Sequence, residues 1–489
     1  MKRLLKVLFL ASEAEPFVKI GGLGDVAGSL PRVIRQESVT PQGDVDIRLV
    51  IPLHGAIRRE AYDLQRVATF HVPHASGPIP AEAFLTNWKG LPVYLIGGPP
   101  IPSEAKVYSD DWGFDAHKYI YFSLAALQLA RALDWPPDIV HANDWHTAAA
   151  VYWLGLNRAT DPFFERTKTV LSVHNLPYLG TAGSVPLQAF GLPPAVNSEL
   201  PGWANHLPLP LGLLAADRIV AVSPTYAAEI LTPDFGAGLD GFLRSRADRI
   251  SGIINGVDVQ HWNPESDPHL VSRFSLENLA ARAANKQALE SEFGFWPQPE
   301  VPLLAMINRL DYQKGVDIAL DALQQVLDLP WRAILLGTGL PDLEESLRQL
   351  ERSFPDRVRA VIRFDAPLGR RIYAGADALL IPSRYEPCGL VQMIAMRYGC
   401  VPIARATGGL RDTISDVAQG ANPRSATGFL FQETSGQALA SAIRRALSAY
   451  SDKRRWRAYQ RHGMQQDFSW EKSAQAYVAL YRTLSSSLP

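Results

Sequence analysis

The sequence predicts an α/β protein built from two doubly wound domains, each a parallel sheet covered on both faces by helices. Three observations carry this. Short β-rich apolar runs alternate with helical patterns along the whole chain. The alternation pauses once, near residue 256. At 489 residues the chain is too long for one ordinary domain and suits two larger ones.

In the first half the strand candidates are "KVLFLAS", "DIRLVIP", "LPVYLIGG", "DIVHAND", "KTVLSVHN" and "DRIVAVSP". In the second they are "PLLAMINRL", "WRAILLGTG", "RVRAVIRF", "DALLIPS" and "VPIARAT". Most end in Gly, Pro, Ser or Asn, and unbroken apolar runs of this length suit strands buried on both faces. Helical patterns such as "YIYFSLAALQLARAL" and "VDIALDALQQVLDL" lie between them. At the pause, residues 275–292 read as one helical stretch flanked by prolines. The expected domains are therefore 1–256 and 257–467. An amphipathic helix within 468–489, "DFSWEKSAQAYVALYRTL", is expected to return to the first domain. Ligands of open parallel sheets bind beyond the carboxyl ends of the strands, so two such domains facing each other are expected to bind across a cleft and to close on the ligand.

The opening "MKRLLKVLFLASEAEPF" imitates a secretion signal, but Lys6 interrupts its apolar run and Glu13 and Glu15 end it, so it reads as a buried first strand. No stretch approaches the ~18 apolar residues of a membrane span. The formal net charge of -1 argues against nucleic acid or an anionic membrane as partner. With only two cysteines, Cys388 and Cys400, a disulfide scaffold is not expected and a reducing cytoplasm is. The basic run "DKRRWRAYQRH" reads as the solvated face of a helix.

The segment "KIGGLGDVAG", residues 19–28, approaches a dinucleotide fingerprint, but "EAEPFVKI" separates it from the first strand. It reads as a loop returning above that strand's end, with Gly21, Gly22 and Gly24 offering N–H groups to an anion just before a helix that starts near Asp25. Lys19 adds a positive charge. In the second half, "NRLDYQKG" places Arg309 and Lys314 after a buried strand, a fork and a point charge suited to a diphosphate leaving group. Glu386 follows "DALLIPS" and precedes the helical "LVQMIAMRYG", where a carboxylate can accept from sugar hydroxyls. "TGGLRDT" supplies Thr407, Gly408 and Gly409 before another helix start. Asp144, His146, His174 and Asn175 fall at strand carboxyl ends in "HANDWHTA" and "SVHNLPYLG". A zinc site is disfavoured, because His141 and His146 straddle a strand-to-helix turn and no H-E-x-x-H occurs. The D-x-D of Asp44 and Asp46 opens a strand, at the wrong end for a ligand.

Together "KIGGLGDVAGSLP", "HANDWHTA", "SVHNLPYLG", "DRIVAVSPTYAAEI", "INGVD", "NRLDYQKG", "PSRYEPCGL", "MRYGCVPIARATGGLRDT" and "TGFLF" resemble, in order and over nearly the whole chain, the bacterial glycogen synthase and plant starch synthase family. The resemblance implies the GT-B fold. It implies metal-independent transfer of glucose from a nucleotide sugar to an α-1,4-glucan with retention of configuration, and no cofactor. Lys19 and the Gly21–Gly24 loop then approach the donor's distal phosphate and glucose, and Asp25 orients the ribose or the loop. His174 donates to the glucosyl 6-hydroxyl. Asp144 and Asn175 line the acceptor side, and Asn255 contacts the donor. Arg309 and Lys314 grip the diphosphate, and Glu386 holds the sugar hydroxyls. Cys388, Gly389 and Leu390 form the adjoining turn, with Thr407, Gly408 and Gly409 beside it. Phe364 stands where the family stacks a tyrosine on adenine.

The chain departs from the family pattern at Leu179, where Gln is common. It departs again in "NHLPLPLGLL" around Pro210, where a lysine is common, and in the loosely matching acceptor-side segment "PPIPSEAKVYSDDWGFDAHKYI". The expected donor is ADP-glucose, with UDP-glucose the alternative, and the expected acceptor is glycogen or a starch-like glucan. The competing readings are a GT-B transferase acting on a small acceptor and a non-catalytic glucan-binding relative. Without a transit peptide or added N-terminal module, the resemblance leans to a bacterial, cytoplasmic protein.

Overall fold

The computed structural model describes residues 4–36 and 44–486. The chain forms two compact units, one of residues Met1–Gly256 and Ser469–Pro489, the other of Val257–Phe468.

Among the described residues the first unit carries nine strands: β1 (Leu5–Leu10), β2 (Val45–Pro52), β3 (Gln65–Val72), β4 (Ile79–Trp88), β5 (Leu91–Gly97), β6 (Ile139–Asn143), β7 (Lys168–Val173), β8 (Arg218–Ala221) and β9 (Ile250–Gly252). Their order is β3-β4-β5-β2-β1-β6-β7-β8-β9. From β5 to β9 every pairing is parallel, with Phe9 of β1 opposite Leu49 and His141. The wholly parallel sheet expected from the sequence is corrected at one edge, where β3 and β4 form a hairpin antiparallel to β5. β3 buries only Val72, and β4 buries Ala81, Ala83 and Thr86 between exposed or half-buried residues, so neither shows the unbroken apolar run that marks its neighbours.

The second unit carries β10 (Leu303–Ile307), β11 (Arg332–Gly337), β12 (Val358–Ile362), β13 (Ala378–Ile381), β14 (Val401–Arg405) and β15 (Phe429–Phe431), all parallel, in the order β12-β11-β10-β13-β14-β15. β11 and β13 are buried along their whole length, as a sheet with helices on both faces requires.

Two helix expectations also change. The helix expected near Asp25 begins at Gly22 and runs Gly22–Ile34, so Gly22 and Gly24 lie in its first turn. The stretch 275–292 is helical only over Arg282–Glu292, after a short turn at Leu279–Ala281, because Ser275 ties the backbone of Glu277 and Asn278 into a local turn.

The last helix, Trp470–Ser486, packs into the first unit's core. Trp470, Tyr477, Val478 and Tyr481 join Phe9, Ile139 and Val170 there, and His141 hydrogen-bonds the Tyr481 hydroxyl at 2.5 Å. No helix among the described residues is long and apolar enough to cross a membrane.

Candidate active site

In a doubly wound sheet the crevice for a ligand opens where strand order reverses, beyond the carboxyl ends of the two central strands. That point lies between β1 and β6 in the first unit and between β10 and β13 in the second. Glu13 follows β1 and Asp144 follows β6; Arg309 and Lys314 follow β10, and Glu386 follows β13. Topology alone therefore gathers the chemistry-bearing residues into one cluster per unit.

In the first unit the Gly-rich loop is organised by a carboxylate that the sequence reading used only as a strand terminator. Glu13 accepts the backbone N–H of Ile20 and, at 3.1 Å, that of Gly21. The expectation that Gly21 offers its N–H to phosphate is thus corrected: the chain's own carboxylate takes it. Burial pushes the Glu13 carboxyl up, and the backbone donors only partly offset this. Gly24 donates to the Gly21 carbonyl at 3.2 Å, whereas Gly22 faces open space. Lys19 is paired with Asp25 at 2.5 Å and Glu15 at 3.1 Å. Burial works against its ammonium, yet the two carboxylates outweigh it and raise its pKa. An ammonium has three donors, so one remains for a ligand. Asp25 is fixed on the loop's own lysine.

The β6 side is built around Asp144. Its Oδ1 accepts the N–H of His174 at 2.7 Å and of Asn175 at 3.3 Å, and burial raises its carboxyl to about 7. Its backbone sits at φ 54°, ψ −171°, a region essentially reserved for glycine. Asp144, His174 and Asn175 therefore form one cluster, with Glu13 near enough to act on Asp144 electrostatically. His174 Nε2 lies 2.9 Å from Asn143 Oδ1. The Asn143 amide nitrogen donates to the Leu10 carbonyl, so Oδ1 is an acceptor and the histidine must donate through Nε2. Burial lowers the His174 pKa to about 4, so the ring is neutral and Nδ1 carries a lone pair. Nδ1 is therefore left as an acceptor, not the donor that the sequence led one to expect. The side-chain oxygens of Asn175 and Asn255 are buried without a partner among the described residues.

In the second unit Asp311 orders the loop after β10, accepting from Arg309 Nε at 2.5 Å and from the Lys314 N–H at 2.8 Å. Lys314 Nζ then reaches both oxygens of Glu386, at 2.9 and 2.7 Å, and Ser383 donates to the same carboxylate at 2.9 Å. Lys314 and Glu386, read separately from the sequence, are one ion pair. Gly408, at φ +44°, and Gly409 lie so close to the carbonyls of Glu386 and Cys388 that a Cβ on either would collide. The Gly409 N–H donates to Glu386 O at 3.3 Å. Thr407–Gly409 thus clamps the segment Glu386–Leu390, and Gly389 takes φ +72° within it. The helix after Leu390 is only Val391–Arg397. Phe364 is 87% exposed beyond β12, its ring available for stacking.

Among the described residues no group of three or more His, Cys, Asp and Glu is placed to hold a metal. His141 is a core residue, bound by Tyr481 and Ser172, and burial depresses its pKa to about 3. His146 packs against the rings of Trp145 and Tyr119. Asp46 accepts from Trp135 and pairs with Arg48 at the amino end of β2. Beyond Glu13, the sequence reading missed Asn143, Asp311 and Ser383. Each is a polar residue within three positions of a strand's carboxyl end or of an assigned site residue, which was the available signal.

Residues 6–245 match the family model described as starch synthase catalytic domain, and 291–463 that of glycosyl transferases group 1. A glycogen synthase of Anaeromyxobacter sp. (strain Fw109-5) is 42% identical over 490 residues, covering 99% of this chain and 100% of the relative. Glycogen synthase 2 of Geobacter sulfurreducens is 38% identical, with 98% of each chain covered. Among solved structures, the catalytic domain of starch synthase IV from Arabidopsis thaliana, bound to ADP and acarbose, superposes with a TM-score of 0.87 at 30% identity, over 99% of this chain and 100% of that one. Sucrose-phosphate synthase from Thermosynechococcus elongatus, at 20% identity and a TM-score of 0.59, shares the fold. Identity of this extent over nearly the whole chain, together with the matching starch synthase model, leaves one assignment: the chain belongs to the glycogen and starch synthase family of glycosyltransferases.

Proposed function

We propose that the protein transfers glucose from ADP-glucose to the non-reducing end of an α-1,4-glucan, with retention at the anomeric carbon and without a metal ion. The observation that carries this is the Lys314–Glu386 pair beside Arg309 at the second unit's switch point. Arg309 and the remaining Lys314 donor stabilise the diphosphate as its bond to the sugar breaks. Glu386 accepts from sugar hydroxyls while keeping the lysine in place. The two carboxylates there, Glu386 and Asp311, are each tied to a cation of the site rather than forming the free facing pair of a hydrolase, which fits attack from the leaving-group side, in which a departing phosphate oxygen takes the acceptor's proton. Neutral His174 accepts from a hydroxyl of the glucosyl group through Nδ1. Asp144, with Asn175, receives the acceptor. Phe364 offers a face to the base, and Asn255 an amide to the donor. The ADP found in the Arabidopsis relative is the ground for adenine.

Transfer of labelled glucose to glycogen from ADP-glucose and from UDP-glucose, with and without a chelator, tests the reading. The expected result is single-unit α-1,4 extension from ADP-glucose, unchanged by chelation. Extension from UDP-glucose alone, or activity lost on chelation and restored by a divalent ion, overturns the donor or the metal-free mechanism.

A further inference from the structure

The basic run that the sequence marks as a solvated helix face does more than face solvent. It forms the helix Lys453–Met464, whose other face buries Trp456 and Tyr459 in the second unit's core, with the Tyr459 ring 4.9 Å from that of Phe429. Between this helix and the segment 417–426 lies a cavity of about 420 Å³, lined among others by Val417, Ala426, Arg454, Arg455, Tyr459 and His462. It belongs to neither switch-point cluster.

Arg454 and Arg455 are exposed, and neither guanidinium is paired with another described residue. His462 Nδ1 lies 3.0 Å from the Ala426 carbonyl and therefore donates to it, which leaves Nε2 to a ligand. Asp452 is the one acidic residue of the lining. Its Oδ1 caps the helix by accepting the N–H of Arg454 at 3.0 Å and of Arg455 at 3.1 Å. Two guanidiniums against one carboxylate leave the cavity net positive. Both are mounted on a helix anchored by its aromatic face, which fixes the backbone from which the two side chains reach the cavity.

We propose that this cavity is a second, non-catalytic site that binds the phosphate monoester of a small hydroxylated metabolite. Arg454 and Arg455 hold the phosphate, since guanidinium forks match its oxygens bidentately. His462 Nε2 and the Asp452 carboxylate serve the hydroxyls beside it. The carboxylate disfavours a bare anion and favours a ligand that brings hydroxyl donors. The volume lies within the ~300–1,000 Å³ of small-molecule sites and accommodates a sugar or ribose carrying one phosphate.

The test is calorimetric titration of the full chain, with ADP present to occupy the phosphate-binding groups at Arg309 and Lys314. The probes are inorganic phosphate, a hexose monophosphate and AMP. Wild type is compared with Arg454→Gln/Arg455→Gln, in which both changed side chains are exposed and the helix former is kept. The expected result is one equivalent of a monoester bound by wild type, more tightly than inorganic phosphate. Affinity in the double variant is expected to fall by about 10-fold or more, with its melting temperature and basal glucosyl transfer unchanged. Equal binding by wild type and variant, no monoester binding below about 10 mM, or inorganic phosphate bound as tightly as the esters overturns the proposal.

Discussion

Asp144 combines a backbone conformation that costs about 1–3 kcal/mol in a residue with a Cβ and a buried carboxyl raised to about 7. Both disfavour the folded state at neutral pH, which marks the position as one kept for its chemistry. The folded pKa lies above the unfolded value of 3.8, so between them the folded state holds the extra proton and stability falls as pH rises, by about 1.4 kcal/mol per pH unit at most. Asp144→Asn keeps the acceptor for His174 and Asn175 and removes this dependence. Denaturant unfolding is expected to show the variant gaining on wild type from pH 5 to pH 8 by about 1–3 kcal/mol, while glucosyl transfer falls. An equal stability gap at both pH values refutes the buried-charge account. Glu386→Gln and Arg309→Ala test the donor side. Each is expected to lower turnover by about 10²-fold or more without unfolding the chain, and near-normal turnover in either removes its assigned role.

The loops after β10, β13 and β14 act as one element because they touch backbone to backbone. Gly315 reaches the Pro382 carbonyl and Gly408 the Glu386 carbonyl too closely for any side chain. Gly408→Ala must move the segment that carries Glu386, and it also places a Cβ at φ +44°. Steady-state kinetics is expected to show kcat/KM lowered by about 10-fold or more with far-UV circular dichroism unchanged; intact kinetics rejects the clamp. At this scale the sequence was informative about the parts and silent about their coupling. The central strands were legible because burial on both faces leaves unbroken apolar runs, and the site residues because their motifs follow those strands. The β3–β4 edge was not, since half-buried alternation resembles ordinary surface. Glu13 escaped because filling a glycine loop with an internal carboxylate depends on where the loop returns, which spacing does not encode. The direction of the His174 hydrogen bond escaped for a similar reason: it follows from Asn143 on β6 and Leu10 on β1, both on strands other than the one His174 follows.

The chain leaves the first unit at Gly256 and re-enters it at Ser469, so the first unit is completed only by the last segment of the sequence. The helix Trp470–Ser486 contributes Trp470, Tyr477, Val478, Tyr481 and Leu484 to that unit's core, and Ser473 donates to the Ile254 carbonyl. Burying five such side chains is worth roughly 10 kcal/mol at about 1.5–3 each, comparable with the ~5–15 kcal/mol that holds a whole domain together. His141 adds to the loss, because deleting the helix removes the Tyr481 hydroxyl bonded to its Nδ1 and the Tyr477 and Tyr481 rings packed on it. A variant ending at Phe468 is therefore expected to lose the cooperative unfolding transition of the first unit while Val257–Phe468, whose core contains none of the deleted residues, keeps its own. Hydrogen exchange resolved by peptide separates the outcomes. Collapse of protection in β1, β6 and β7 with protection retained in β10, β11 and β13 is the expected pattern. Tyr481→Phe, which removes only the hydroxyl, is expected to cost about 1–3 kcal/mol and to leave both transitions visible. Protection of β1 and β6 that survives the truncation would show that the first unit closes its core without the returning helix, and the stability assigned to that helix would then be wrong.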